Sequence, residues 1–310
     1  IASCLVGSEM CIRDRGWGGV PFARALTRLR LPLKEPQNMD IHPIDPEKRQ
    51  AVLAALEQIE RQHDVRVLMA CESGSRGWGF SSPDSDYDAR FIYVHRQPWY
   101  LSVNERTGPG EAQRDVIELP IDDELDISGW DLRKALRLVS KSNPTLSEWL
   151  RSPIHYRGDA QAISELQAAV QQFHSPLGSW WHYFNMASAN HRGYLKGERV
   201  RTKKYLYVLR PLLACQWIEN EPTPPPMAFE DLLDRLLPEG NVRNAIDQLL
   251  VTKRRSAEVA DGPRIALISD YIDAELARRS NTPPLLTAGQ GDANALDGLF
   301  RQMLIAHAPR

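Results

Sequence analysis

Asp86 and Asp88 stand at alternate positions at the head of an apolar run, in DSDYDARFIYV. Side chains two apart on a strand point to one side, so this spacing aims two carboxylates at the same point. Like charges that close are unfavourable unless a cation sits between them. A hard divalent metal with oxygen ligands is the natural occupant. Arg90 shares their face by the same parity. Upstream, Gly74-Ser75 follows the apolar run VRVLMAC. Gly74 has no side chain, so a phosphate can approach its backbone. Ser75 adds a hydroxyl, and turn N–H groups form anion-binding nests. Arg76 and Arg90 add positive charge where a leaving group would develop negative charge. A phosphate cradle beside a carboxylate pair points to metal-assisted nucleotidyl transfer. The competing reading of Asp84 to Asp88 is a polar turn capping a hairpin, because Ser-Pro-Asp-Ser is ordinary turn composition. Asp84, next to Pro83, is assigned to that turn.

These groups need a sheet behind them. Val65 to Cys71 and Phe91 to Val94 read as short buried strands on either side of the loop. Before them, Val52, Leu53, Leu56 and Ile59 recur at helical spacing. Asp45 before Pro46 predicts a capped start for a helix over Pro46 to Gln62. Asp115 to Ile121 and Glu124 to Ile127 read as further strands, and Asp126 between Leu125 and Ile127 is a third carboxylate on an apolar strand. Its competing reading is an edge acid facing water; Glu118 and Glu124 are the reserves. Ser128 and Asp131 have capping-box spacing and predict a helix over Ser128 to Ser140.

From about Gly158 onward the pattern is mostly helical. Within it, YLKGERVRTKKYLYVLRP places Leu206, Leu209 and Leu213 on one helical face and Lys203, Tyr207 and Arg210 on the adjacent one. Such a flank can close over a triphosphate or a nucleic-acid backbone; the plainer reading is a solvated basic face. Composition bounds the rest. A chain of 310 residues has room for two domains of ordinary size, and a net charge of −2 gives no global pull toward nucleic acid or membrane. No apolar run is long enough to span a bilayer. The cysteines, Cys4, Cys11, Cys71 and Cys215, show no zinc spacing. Cys71 and Cys215 read as core residues in a reduced, cytoplasmic compartment. Residues 1 to 38 are unlike the rest: SCLVGSEMCIRDR is similar to translated adapter sequence, and the segment is read as extraneous or disordered, with Met39 as a candidate start.

The order strand, Gly-Ser, loop, Ser-Asp-x-Asp, strand resembles the signature of the DNA polymerase beta-type nucleotidyltransferase superfamily. The segments ESGSRGWGF, DSDYDARFIYVH, LDISGWDLRKAL, NPTLSEWLRSPI and KKYLYVLRPLLACQWIE together resemble a bacterial and phage family of predicted nucleotidyltransferases, some associated with RNA repair. The resemblance covers roughly Met39 to Arg279. It implies an α/β (α+β) polymerase-beta-like domain with a small mixed sheet over residues 39–157. A helical domain over 158–280 and a tail over 281–310 follow. It also implies two Mg²⁺ ions and a nucleoside triphosphate, with RNA as one possible acceptor beside a protein or a small molecule. On that reading Asp86 and Asp88 hold two metals roughly 3.5–4 Å apart. Asp126 completes the site, and Gly74 and Ser75 hold the β- and γ-phosphates. The competing class is a non-catalytic RNA- or protein-binding module that keeps the fold. Oligomeric state is not legible in the sequence.

Overall fold

The computed structural model describes residues 43–103, 115–119, 124–255, 261–289 and 292–309. Readings that fall on residues 1–38 lie outside these. Helix α1 (Pro46–His63) starts as its sequence predicts. The Asp45 carboxylate accepts the Glu47 N–H at 2.7 Å, Pro46 occupies the first turn, and Val52, Leu56 and Ile59 face inward. Strand β1 (Val65–Glu72) follows directly. The short helical turn α2 (Gly74–Gly77) and a loop then lead to β2 (Tyr87–His95), and α3 (Gln97–Tyr100) ends that arm. Next come β3 (Val116–Glu118), β4 (Leu125–Asp131), α4 (Leu132–Ser140), α5 (Thr145–Trp149) and β5 (His155–Gly158). They form a five-stranded mixed sheet in the order β3-β4-β2-β1-β5. Among the described strands only β2 and β4 pair in parallel, with Tyr87 opposite Leu125 and Asp88 opposite Asp126.

In the sheet region, boundaries differ from expectation on both sides of Asp126. The strand carrying Asp126 does not stop at Ile127 but runs to Asp131, and Asp131, not Ser128, caps α4 by accepting the Arg133 N–H at 2.8 Å. The reason is long-range. Gly129 lies against the Phe91 ring, so close that a Cβ there would sit 2.3 Å from a ring carbon. The ladder to β2 therefore holds residues 128–131 extended against their local capping pattern. On the other side, β3 is shorter than the expected Asp115 to Ile121, and residues 120–123 lie outside the described ones.

After β5 the chain runs through α6 (Ala160–Phe173), α7 (Pro176–Tyr194), β6 (Arg199–Arg201), α8 (Lys204–Asn220), α9 (Phe229–Leu236), α10 (Asn241–Arg255), β7 (Asp261–Pro263), α11 (Ala266–Asn281) and α12 (Ala293–His307). One face of the sheet packs on α1. The other, through Leu68, Met69, Ile92 and Val94, packs on α4 and α5 and also on α6 and α12. The sheet's core thus continues past residue 157, and the segment read as a tail contributes Leu296, Met303 and Leu304 to it. A second core joins α8 to α11, and Phe80, from the loop before β2, is buried in it against Phe229. Within α8, Pro211 has no N–H to offer the Tyr207 carbonyl; the Asn190 side-chain amide of α7 donates to that oxygen instead, at 3.3 Å. Cys71 and Cys215 are buried free thiols, as expected. Among the described residues no helix is long and apolar enough to cross a membrane.

Candidate active site

β1 ends at the sheet edge where the chain must turn sharply. Gly74 takes φ +56°, and an ideal Cβ there would stand 1.9 Å from Asp88 Oδ2. Backbone angle and space both demand glycine, and the reason is the carboxylate lying on its Cα. The Ser73 N–H donates to the Asp88 carbonyl at 2.9 Å, which ties the turn to β2. Ser75 and Arg76 follow within α2, both buried. The two halves of the sequence signature are therefore in contact.

Asp86 is exposed just ahead of β2, while Asp88 is half-buried and in register with Asp126 on β4. Arg90 lies between the last two. Its Nη2 donates to Asp88 Oδ1 at 3.1 Å and to Asp126 Oδ2 at 2.8 Å. Its Nη1 donates to the carbonyls of Ala89 and Asp126 at 3.1 and 2.9 Å. Burial raises the Asp88 carboxyl above the usual range; Arg90 pulls it down, and Asp126 and Asp86 push it up again. Burial draws the Arg90 guanidinium down, but Asp88 and Asp126 outweigh it and leave it raised. Among the described residues no three acid, histidine or cysteine side chains converge as a metal cluster. Glu124, one reserve, pairs with Lys48 at 2.9 Å, and Glu118 accepts a long contact from Ser128 at 3.4 Å.

Sequence reasoning missed Glu72. It is fully buried at the end of β1, where its Oε1 accepts the Asp88 N–H at 2.8 Å and its Oε2 accepts the Tyr156 hydroxyl at 2.5 Å. Burial raises it to about 7, against the opposing pull of those two hydrogen bonds. Its signal was its place directly after an unbroken apolar run, where a strand is covered on both faces. Glu72 sets the height of Asp88 in the sheet.

The other cations fall differently from expectation. Arg76 does not open toward a leaving group. It is buried, its guanidinium lies 3.9 Å over the Tyr87 ring, and it donates to the Ser85 carbonyl at 2.8 Å, closing the loop on itself. Arg210 does not flank a cleft either. It is 2 % exposed and pairs with Glu148 at 3.0 Å, donates to the Met227 carbonyl and lies 4.7 Å over Trp78. Its helical position adjoins the leucine stripe, and the packing of α7 and α9 widens the buried arc until it includes Arg210. Tyr207 is half-buried, edge-on to Trp78 at 5.5 Å. Lys203 stands just before α8, which begins at Lys204 and not at Thr202.

A second missed residue is Lys253, near the end of α10. It is 5 % exposed, and its Nζ donates to Ser82 Oγ at 2.5 Å and lies 3.4 Å from Ser85 Oγ. Burial lowers its pKa; Asp84 and Asp86 draw it up, and Lys203 and Arg76 push it down. Beside it, Arg254 donates to the Gly79 carbonyl at 2.6 Å and pairs with Glu230 at 2.7 Å. The Asp86 loop is thus held from α2 by Arg76, and its contacts with the later helices run through Phe80, Lys253 and Arg254.

The family model described as "RNA repair pathway DNA polymerase beta family" (RlaP) matches residues 48–302 of the chain. This chain belongs to the RNA repair pathway DNA polymerase beta family. Its α/β fold with a mixed sheet is that of a polymerase-beta-like nucleotidyltransferase. A relative from Bacillus subtilis (strain 168), the uncharacterized protein YcgL, is 46 % identical over 244 residues, which span 79 % of this chain and 91 % of the relative. A nucleotidyltransferase-like protein from Exiguobacterium sibiricum 255-15 covers 75 % of each chain at 12 % identity and a TM-score of 0.29, too distant to bear on details of the family member described here.

Proposed function

We propose that the protein transfers a nucleoside monophosphate from a nucleoside triphosphate to an acceptor hydroxyl, with an RNA end as the acceptor, and releases pyrophosphate. The observation that carries this is the contact between the Asp88 carboxylate and the Gly74 backbone, so close that a Cβ would collide with the carboxylate. It joins a turn suited to phosphate with a carboxylate suited to a cation. Asp86 and Asp88 fit a Mg²⁺ ion by donor chemistry, since both offer carboxylate oxygens, Asp86 from the end of the loop and Asp88 from the start of β2. When bound, such an ion supplies positive charge to the phosphate being transferred.

The chain's own residues do the remaining work. Gly74 admits the β- and γ-phosphates to the backbone, with the Ser75 hydroxyl beside them. Lys253 and Lys203 add charge from the loop side as pyrophosphate leaves with the electron pair of the broken Pα–O bond. The acceptor oxygen forms the new bond to Pα, and its proton passes to solvent by way of the half-buried Asp126. The family description supports RNA as the acceptor. The test is Mg²⁺-dependent pyrophosphate release from ATP, GTP, CTP and UTP, with and without RNA ends. Release that requires RNA and disappears in Asp88→Asn is the expected result. Triphosphate or RNA binding with no release from any of the four would make the protein a binding module.

A further inference from the structure

We infer that Arg90 is a built-in cation that fills the Asp88–Asp126 side of the acidic cluster, so that the site takes one divalent ion, on the Asp86–Asp88 side, and not two. The inference rests on the nucleotidyltransferase reading only for the presence of that single ion.

The argument begins with register. Asp88 and Asp126 are direct partners across a parallel pair, and neighbouring strands lie about 4.8 Å apart. Two carboxylates at that spacing need a cation between them. Arg90, two positions along on the same face, meets both with one nitrogen, at 3.1 and 2.8 Å. What fixes it there is its other nitrogen, bound to the main-chain carbonyls of Ala89 and Asp126. An arriving metal ion competes for carboxylate oxygens but not for those two carbonyls. Charge repulsion would then have to pull a planar, permanently charged group away from two hydrogen bonds that the ion does not replace.

The two oxygens of Asp88 divide the site accordingly. Oδ1 faces the guanidinium, and Oδ2 lies against Gly74. Asp86, exposed just ahead of β2, is the remaining acid of the cluster, and its charge bears on Asp88. One ion held by Asp86 and Asp88 takes up those two carboxylates and leaves the guanidinium in place. With Arg90 in place, the three acids and one guanidinium leave a net charge of −2, which one divalent ion balances. Replacing the arginine with a neutral side chain leaves −3 and reopens the Asp88–Asp126 side.

The experiment counts Mn²⁺ by calorimetry and by electron paramagnetic resonance on the full chain, with no substrate present. Wild type should bind one Mn²⁺, and Arg90→Gln should bind two. Asp126→Asn should still bind one, with Kd within about threefold of wild type, because Asp126 answers to Arg90 and not to the ion. Two ions in wild type, or one in Arg90→Gln, would overturn the inference and leave the nucleotidyltransferase reading intact. No Mn²⁺ in either chain would remove the single ion as well and overturn both. If Arg90→Gln does not fold, Asp126→Asn decides alone: an unchanged Kd upholds the inference, and a Kd weakened more than about tenfold overturns it.

Discussion

Two of the arginine–carboxylate groups in the protein differ sharply in burial and charge balance. Arg210 and Glu148 lie within the helical body, their side chains 3 % and 11 % exposed. The pair is matched one to one, and Tyr183 at 2.7 Å and Trp78 at 3.4 Å also donate to Glu148. Arg90 lies on the central strand of the sheet, its side chain 18 % exposed, against Asp88 at 27 % and Asp126 at 30 %, with Asp86 just ahead of the strand. The first group is neutral, dry and saturated; the second keeps surplus negative charge at an opening. A saturated pair has nothing left to offer a ligand, whereas an acid-rich one calls for a cation. Charge balance and access, not the presence of arginine, separate the structural group from the one fitted for chemistry.

Breaking the comparison should begin with Asp88→Asn. Transfer should fall on the order of a thousandfold or more, since a bound cation is worth several kcal/mol to a developing charge. The melting temperature should hold or rise as repulsion is relieved. A variant with near-normal pyrophosphate release would erase the distinction between the two groups. On the structural side, Arg210→Ala should cost about 3–5 kcal/mol in denaturant unfolding, because it strands a buried carboxylate. Asp86→Asn, at the open end, should stay within about 0.5 kcal/mol of wild type. Similar losses in the two would mean that burial does not discriminate between them.

Smaller effects sharpen the contrast. Gly74→Ala should lose roughly 1–3 kcal/mol, from a left-handed backbone and a Cβ driven into Asp88, and it should lose transfer activity besides. Lys253→Met keeps the buried stem and removes the charge, so the triphosphate KM should rise about tenfold while the melting temperature barely moves. A fall in stability without a change in KM would make Lys253 a strut of the loop and nothing more. The remaining test is a control outside both groups. Burial, then the charge of Arg151, lowers His174 from 6.5 to about 4. The folded state therefore prefers the neutral ring. Its contribution is complete above pH 6.5 and drains away as pH falls toward 4. The melting temperature of wild type should drop below that of His174→Asn over that interval, and parallel curves would show that the ring does not titrate with folding.

What could be read from the sequence was local. Asp45-Pro46 and the spacing of Val52, Leu56 and Ile59 fix α1, and the alternation of Asp88 and Arg90 describes one strand face, with Asp86 left just ahead of it. What stayed hidden depends on partners far along the chain. Nothing near Arg210 announces that Glu148 will neutralise it. Nothing near Ser128 reveals that β2 will hold it extended beyond its capping signal. Lys253 ends an ordinary amphipathic helix, and only tertiary packing carries its ammonium to Ser82. Glu72 is the intermediate case, visible as an acid at the end of an apolar run but not as the acceptor of the Asp88 N–H.

Pro211 sets a rule for how the length of this chain can drift among relatives. The Tyr207 carbonyl, to which Pro211 has no N–H to donate, accepts from Asn190 on the neighbouring helix. A residue inserted between Tyr207 and Pro211 would shift the proline's missing donor to the next carbonyl, turned about 100° away from that amide. A buried acceptor would then have no donor, at a cost of about 1–3 kcal/mol. A residue added in the connection over 195–203 leaves the match untouched. Insertions and deletions are therefore expected to gather in that connection and to spare the stretch from Tyr207 to Pro211, so that one side-chain amide acts as a ruler for two helices.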